Sequence, residues 1–361
     1  MVRIAIIGCG IVGASIAFEL SRFPELKVTV LDKQPPVQGS TGAALGVLMG
    51  VIGHKTKGRN WELRETSLQC YETLIPELEA VTGRKIPFNK QGILMLCSEG
   101  EDLSKWEKLV ATRASQGWEL EIWDVDRVGD RNPHLALNPN IIAAIYSPQD
   151  RQVDPTVLTL ALVDAAKING VNFEFGVEVA GLTELHSQVC QIQTTVGNLE
   201  FDRLIIAAGL GSSALTASLN QLVDIRPVLG QALHLRSPNP LENSDFAPVI
   251  TCDDVHIVPL GDREYWVGAT VEFPVNGGEI QANADMLEQV MARAIALCPA
   301  LAEATIIRKW SGLRPRPEGR PAPIIDRLSG NSNILIASGH YRNGVLLAPA
   351  TARTIREMIL Q

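Results

Sequence analysis

Residues 1–32 constrain this chain more than any other stretch. Arg3-Ile-Ala-Ile-Ile-Gly8 reads as a short buried strand, and Gly8-Cys9-Gly10-Ile11-Val12-Gly13 follows it directly. A helical pattern then runs to about Phe23, and a second apolar strand, Lys27 to Leu31, ends at Asp32. A G-x-G-x-x-G run set between strand and helix, with an acid closing the next strand, is the pattern that holds a dinucleotide. Gly8 allows the tight turn, Gly10 lets a pyrophosphate reach the backbone, and Gly13 lets helix and strand pack closely. The helix N-terminus offers free N–H groups and a partial positive charge to phosphate. Asp32 would accept hydrogen bonds from a ribose, and its charge disfavours a 2′-phosphate there.

The apolar stretch Ile4 to Phe18 could be mistaken for a secretory signal. Its three glycines and its immediate return to strand argue against that, and no later run reaches the ~18 apolar residues that span a bilayer. The expectation is a soluble, cytoplasmic protein with no signal peptide and no transmembrane segment. A length of 361 residues suits two domains, and a net charge of −8 without any basic block argues against nucleic acid as partner. Cys9, Cys70, Cys97, Cys190, Cys252 and Cys298 are scattered without metal-ligand spacing, so reduced thiols and no metal are expected.

After Asp32 and Lys33, the stretch Gly39-Ser40-Thr41-Gly-Ala-Ala-Leu45-Gly46-Val47-Leu48 is built from small residues. Its interleaved apolar positions suggest a buried loop against a ligand, with a surface turn as the plainer alternative. Helices are expected from Trp61 to about Val81, from Asp102 to Gln116, after the Asp154-Pro155 start, and from Ala284 to Leu297. Asp202 to Gly209 is an apolar strand running into glycine, so the nucleotide fold resumes there. From Ile225 to Thr270 the pattern is β-rich, as for an antiparallel sheet walling a pocket. The chain ends on a strand at Asn333 to Ala337, a glycine turn, and a helix expected to begin at Pro349.

Four separated stretches together resemble the amine and amino-acid oxidase family of flavoproteins, nearest to its glycine oxidase branch, with D-amino acid oxidases and monomeric sarcosine oxidases as cousins. They are the fingerprint through Asp32, the loop Gly39 to Leu48, Gly312-Leu-Arg314-Pro, and Gly339-His340-Tyr341-Arg342-Asn343-Gly344-Val345-Leu346-Leu-Ala-Pro349. The resemblance implies an α/β fold with a Rossmann-like FAD-binding domain (1–85, 146–219 and 313–361). Interwoven with it is an antiparallel-sheet α+β substrate domain (86–145 and 220–312).

It also implies non-covalent FAD. Gly8, Gly10, Ile11, Val12 and Gly13 would lie at the pyrophosphate turn, and Asp32 and Lys33 at the ribose. Ser40, Thr41, Leu45, Gly46 and Val47 would flank pyrophosphate and flavin, Val179 the adenine, and Gly209 the nucleotide edge. Gly339 to Leu346 would run along the isoalloxazine.

For substrate, Arg314 is the expected carboxylate ligand, because a guanidinium holds a planar carboxylate through two parallel hydrogen bonds. A surface arginine in a Pro-rich loop is the alternative. Arg342 is either a second pocket charge or a structural partner of the flavin loop. His256 stands where glycine and D-amino acid oxidases usually place a tyrosine, which puts glycine itself in question. Asp254, two residues earlier, could meet a substrate cation or pair with His256.

The implied reaction is oxidation of a small amine or amino acid, with hydride passing to flavin N5. Oxygen would accept the electrons as hydrogen peroxide, and the imine would hydrolyse to keto acid and ammonia. A dehydrogenase passing electrons to a quinone, a nicotinamide-linked dehydrogenase, and a non-catalytic flavin protein remain alternatives. A homo-oligomer is possible.

Overall fold

The computed structural model describes residues 1–185, 188–219, 221–241, 245–274 and 280–361. Two sheets dominate it. The first has six strands in the order Ile324–Arg327, Ile334–Ser338, Arg203–Ile206, Val2–Ile7, Leu26–Asp32, Asn172–Phe175. All neighbours run parallel except the first pair. Parallel strands are buried on both faces, and here the faces alternate residue by residue. Ile4 and Ile6 join the core beneath the helices Ile11–Leu20 and Gly344–Leu360, whereas Ala5 and Ile7 join the opposite core with Phe201 and Ile336.

The second sheet has eight strands, ordered Thr305–Pro317, Ile225–Arg236, Glu264–Gly268, Val255–Gly261, Val249–Cys252, Ile93–Ser98, Ile141–Ser147, Glu121–Trp123. It is antiparallel apart from one parallel pair between Val249–Cys252 and Ile93–Ser98. The helix Ala284–Leu297, capped by Asn283, seals one face with Leu287, Val290 and Ala294 against Leu233, Ile257 and Val267. On the other face Gly230, Ala232 and His256 look into a cavity.

The expected helices form at Arg59–Thr82, Leu103–Ser115, Pro155–Ile168 and Ala284–Leu297. One alternative and one expectation are corrected. The Pro-rich loop offered as the alternative setting of Arg314 is a 13-residue strand, Thr305–Pro317, paired with Ile225–Arg236. Its prolines are tolerated because the strand is at the sheet edge, where a missing N–H breaks no ladder. The last helix starts at Gly344, not at Pro349, which sits inside it.

An internal proline leaves the carbonyl four residues earlier without its helical donor. That carbonyl belongs to Val345, and the fully buried Tyr71 hydroxyl donates to it at 2.6 Å. Tyr71→Phe is therefore expected to strand a buried carbonyl and lower stability by about 1–3 kcal/mol in urea unfolding. No change would mean that Val345 finds another donor.

The five cysteines with described side chains are free and buried; that of Cys190 lies outside the described residues. No helix among the described residues is long and apolar enough to cross a membrane.

Candidate functional site

The fingerprint closes as a turn in which the glycines have separate physical grounds. Gly8 has φ +104°, and a Cβ there would lie 2.5 Å from the Ala207 carbonyl oxygen. A Cβ on Gly13 would lie 1.9 Å from the Gly8 oxygen, so the helix start and the turn touch backbone to backbone. Gly10 differs: a Cβ would meet only Thr41 Oγ1, at 3.1 Å. Gly10 is also the N-cap of Ile11–Leu20 and contributes no capping side chain. Asp32 is fixed by two backbone donors, Cys9 N–H to Oδ2 at 2.7 Å and Gln34 N–H to Oδ1 at 3.0 Å.

The small-residue stretch folds as a short 3₁₀ turn, Ser40–Ala43, then a two-residue strand, Val47–Leu48. Ile11 N–H donates to Thr41 Oγ1 at 3.0 Å, and Ser40 Oγ donates to the Leu313 carbonyl at 2.6 Å. The turn therefore joins the fingerprint helix to the strand carrying Arg314.

Beyond Ile334–Ser338 the chain turns through Gly339 and Tyr341, both at positive φ. Tyr341 N–H donates to the Pro315 carbonyl at 3.0 Å, so this turn also meets the Arg314 strand. His340 is buried with Nε2 3.0 Å from Thr351 Oγ1, and burial pushes its pKa down to about 4.

These segments enclose one cavity of about 860 Å³. It is lined by Gly8, Gly10, Ile11, Val12, Asp32 and Lys33, then by Ser40, Thr41, Leu45, Gly46 and Val47. Val179, Gly209, Gly339, His340, Tyr341, Gly344 and Val345 also face it, as do Asp254, His256, Arg314 and Arg342. Three expected positions lie outside the lining. Gly13 packs behind the turn, Leu346 is in the core, and Asn343 caps the last helix.

Arg314 is half-buried, and its Nη1 donates to the Leu229 carbonyl at 2.9 Å. Its guanidinium rests on Gly230, where a Cβ would lie 2.2 Å from Nη2. Gly230 was not singled out in the sequence; nothing local marks a glycine that makes room for a side chain on the next strand. Burial draws the Arg314 pKa down, and the neighbouring Arg342 adds to this.

His256 accepts or donates at Thr251 Oγ1, 2.8 Å from its Nδ1. Burial first, then Arg342 and Arg314, push its pKa down to about 4 against the pull of Asp254, so it is neutral at pH 7. Of the two side chains near Asp254 in the cavity wall, it is Arg342 and not His256 that bonds it. Asp254 lies in the turn before Val255–Gly261 and accepts from Arg342 Nη1 at 2.9 Å. Among the described residues no group of three or more His, Cys, Asp and Glu could hold a metal ion.

A family profile described as FAD dependent oxidoreductase (DAO) matches residues 3–358. The bifunctional protein ThiO/ThiG of Trichormus variabilis is 30% identical over 99% of this chain and 52% of its own length. The chain thus spans about half the length of that relative. Glycine oxidase of Bacillus licheniformis is 28% identical over 98% of this chain and 92% of its own. The crystal structure of glycine oxidase from Geobacillus kaustophilus superposes with a TM-score of 0.90 at 26% identity, covering 100% of this chain and 95% of that one.

Proposed function

Since the chain belongs to the DAO family of FAD-dependent oxidoreductases, we propose that it oxidises the C–N bond of a small amine or amino acid. The observation that carries this reading is Arg314: a half-buried guanidinium, seated on Gly230 and tied by one Nη1 bond, in the same cavity as the fingerprint. A planar amino-acid carboxylate fits such a group through parallel hydrogen bonds.

The residues present fit FAD. A volume of about 860 Å³ is near the top of the range for cofactor clefts. The turn at Gly10 is open where a pyrophosphate would approach, and the helix start behind it favours anions. Asp32, oriented by Cys9 and Gln34, would hold a ribose, and Ser40 to Val47 and Gly339 to Val345 would flank the flavin. Held by these residues without a covalent link, FAD would supply the two-electron acceptor chemistry for oxidising the donor's C–N bond to an imine, which water would hydrolyse to keto acid and ammonia, with oxygen as the final acceptor and hydrogen peroxide as its product.

The protein's own contribution is placement and charge. Arg314 would fix the donor's carboxylate and thereby aim its α-carbon. Neutral His256 adds no third cation beside Arg314 and Arg342. The helix start at Gly344 offers N–H groups that favour negative charge beside it. We divide the chain into a cofactor domain (1–85, 146–219, 313–361) and a substrate domain (86–145, 220–312); the fingerprint's sheet and the eight-stranded sheet support that division. The strand Thr305–Pro317 crosses its last boundary.

The acceptor is tested by mixing substrate-reduced protein with aerated buffer. Fast reoxidation with one peroxide per flavin is expected. Slow reoxidation, with a quinone analogue reduced instead, would make the protein a dehydrogenase.

A further inference from the structure

Two arginines face the cavity beside His256, and they are not equivalent. Arg314 has a neutral partner, the Leu229 carbonyl. Arg342 is already paired with a carboxylate: its Nη1 lies 2.9 Å from Asp254 Oδ1. His256 is neutral, so the charged side chains lining this part of the cavity are two cations and one anion. Glu272, buried behind the wall, accepts from Gln231, Thr270 and the Asn283 N–H, and its charge reaches Arg314 only through that wall. Of the two arginines lining this part of the cavity, Arg342 holds a carboxylate and Arg314 holds a carbonyl, so Arg314 is the one open to a substrate carboxylate.

The Arg342–Asp254 pair is a poor candidate for holding the fold together. Its side chains are 43% and 59% exposed, and ion pairs of that exposure contribute little to stability. It bridges two turns, one before Val255–Gly261 and one after Ile334–Ser338, where both members meet the cavity. Its consequence is for the ligand. A donor with a second acidic group would need a second cation, and Arg342 comes with a carboxylate attached. Specificity built this way works by repulsion as much as by attraction.

The geometry points to Asp254 as a specificity-determining residue: by neutralising Arg342 it restricts the site to donors with a single carboxylate. This rests on the amine-oxidising reading above and narrows it. Removing the Asp254 charge would free Arg342 for the distal carboxylate of a dicarboxylic amine or amino acid. No covalent step changes; only the ratio of rates between donors does.

The test measures anaerobic flavin reduction in the FAD-loaded protein with two matched pairs. They are iminodiacetate against sarcosine, and aspartate against asparagine in both enantiomers. Within each pair one carboxylate is gained and little else. The unaltered protein is expected to favour the monocarboxylate of each pair. Asp254→Asn is expected to shift the ratio toward the dicarboxylate by about tenfold, the size of one unit charge at a partly exposed site. Asp254→Glu should keep the original ratio, Arg342→Gln should lower it further, and Asp254→Asn with Arg342→Gln should lose the gain.

A ratio unchanged within about twofold in Asp254→Asn and Arg342→Gln, while monocarboxylate donors still reduce the flavin, would overturn the inference and leave the amine-oxidising reading standing. Should Asp254→Asn fail to fold, the Asp254→Glu and Arg342→Gln ratios decide alone. If no amine or amino acid reduces the flavin of the unaltered protein, the reading itself fails and takes this inference with it.

Discussion

Arg314→Met is expected to lower kcat/KM for the preferred amino-acid donor by about a thousandfold, roughly 4 kcal/mol, without reducing the FAD content of the purified protein. The size follows from what would be lost. The proposed bidentate pair on a half-buried guanidinium would be cut, and the donor's carboxylate would enter a cavity whose other arginine is already bound to Asp254. FAD content should hold because Arg314 is anchored to Leu229 and Gly230 on the sheet wall, away from the fingerprint turn. Arg314→Lys keeps the charge and loses the planar fork, so only part of the loss should return. If both variants reduce their flavin at the unaltered rate, Arg314 is a structural arginine and the substrate assignment is wrong.

Gly13→Ala should cost the protein its cofactor. The new Cβ would sit 1.9 Å from the Gly8 carbonyl oxygen, a backbone atom that cannot turn aside. Helix and turn must separate, and overpacking of this kind costs about 1–3 kcal/mol. FAD affinity should fall by about a hundredfold or more, since the same N–H groups that would bind phosphate are displaced. Gly10→Ala gives the contrast. Its Cβ meets only Thr41 Oγ1, at 3.1 Å, so the apoprotein should unfold at nearly the unaltered urea concentration. Its FAD affinity should still drop, because the methyl group stands where the pyrophosphate approaches. Equal losses of stability in both variants would mean that Gly10 serves packing alone.

The fingerprint was legible because its physics is local: a turn, a helix start and an acid within 32 residues leave their marks in one short stretch. The helix caps at Asp154 and Asn283 were legible for the same reason, each side chain accepting from a backbone N–H two residues on. What escaped depends on partners far away in the chain. Pro349 reads as a helix start, yet it sits inside a helix, and the carbonyl it leaves without a donor is bonded by Tyr71, 274 residues before Val345. Pro315 and Pro317 read as loop until the strand's place at a sheet edge makes their missing N–H groups harmless. Strand alternation puts Asp254 on the His256 side, and both do face the cavity, but the bond Asp254 makes is to an arginine 88 residues on. Gly230 had no sequence signal at all; its need is set by the guanidinium of the neighbouring strand. The family resemblance brought the distant segments into one site before any of these contacts could be seen.

The claim that this FAD-binding fold oxidises amines is tested most directly by anaerobic reduction of the bound flavin. The donors are glycine, sarcosine, and the D- and L-amino acids, presented in turn to the purified protein. The account predicts that at least one bleaches the oxidised flavin spectrum at saturable rate, and that Arg314→Met abolishes that saturation. A flavin that stays oxidised with every donor, yet is reduced by a nicotinamide or by a hydroxy acid, would contradict it.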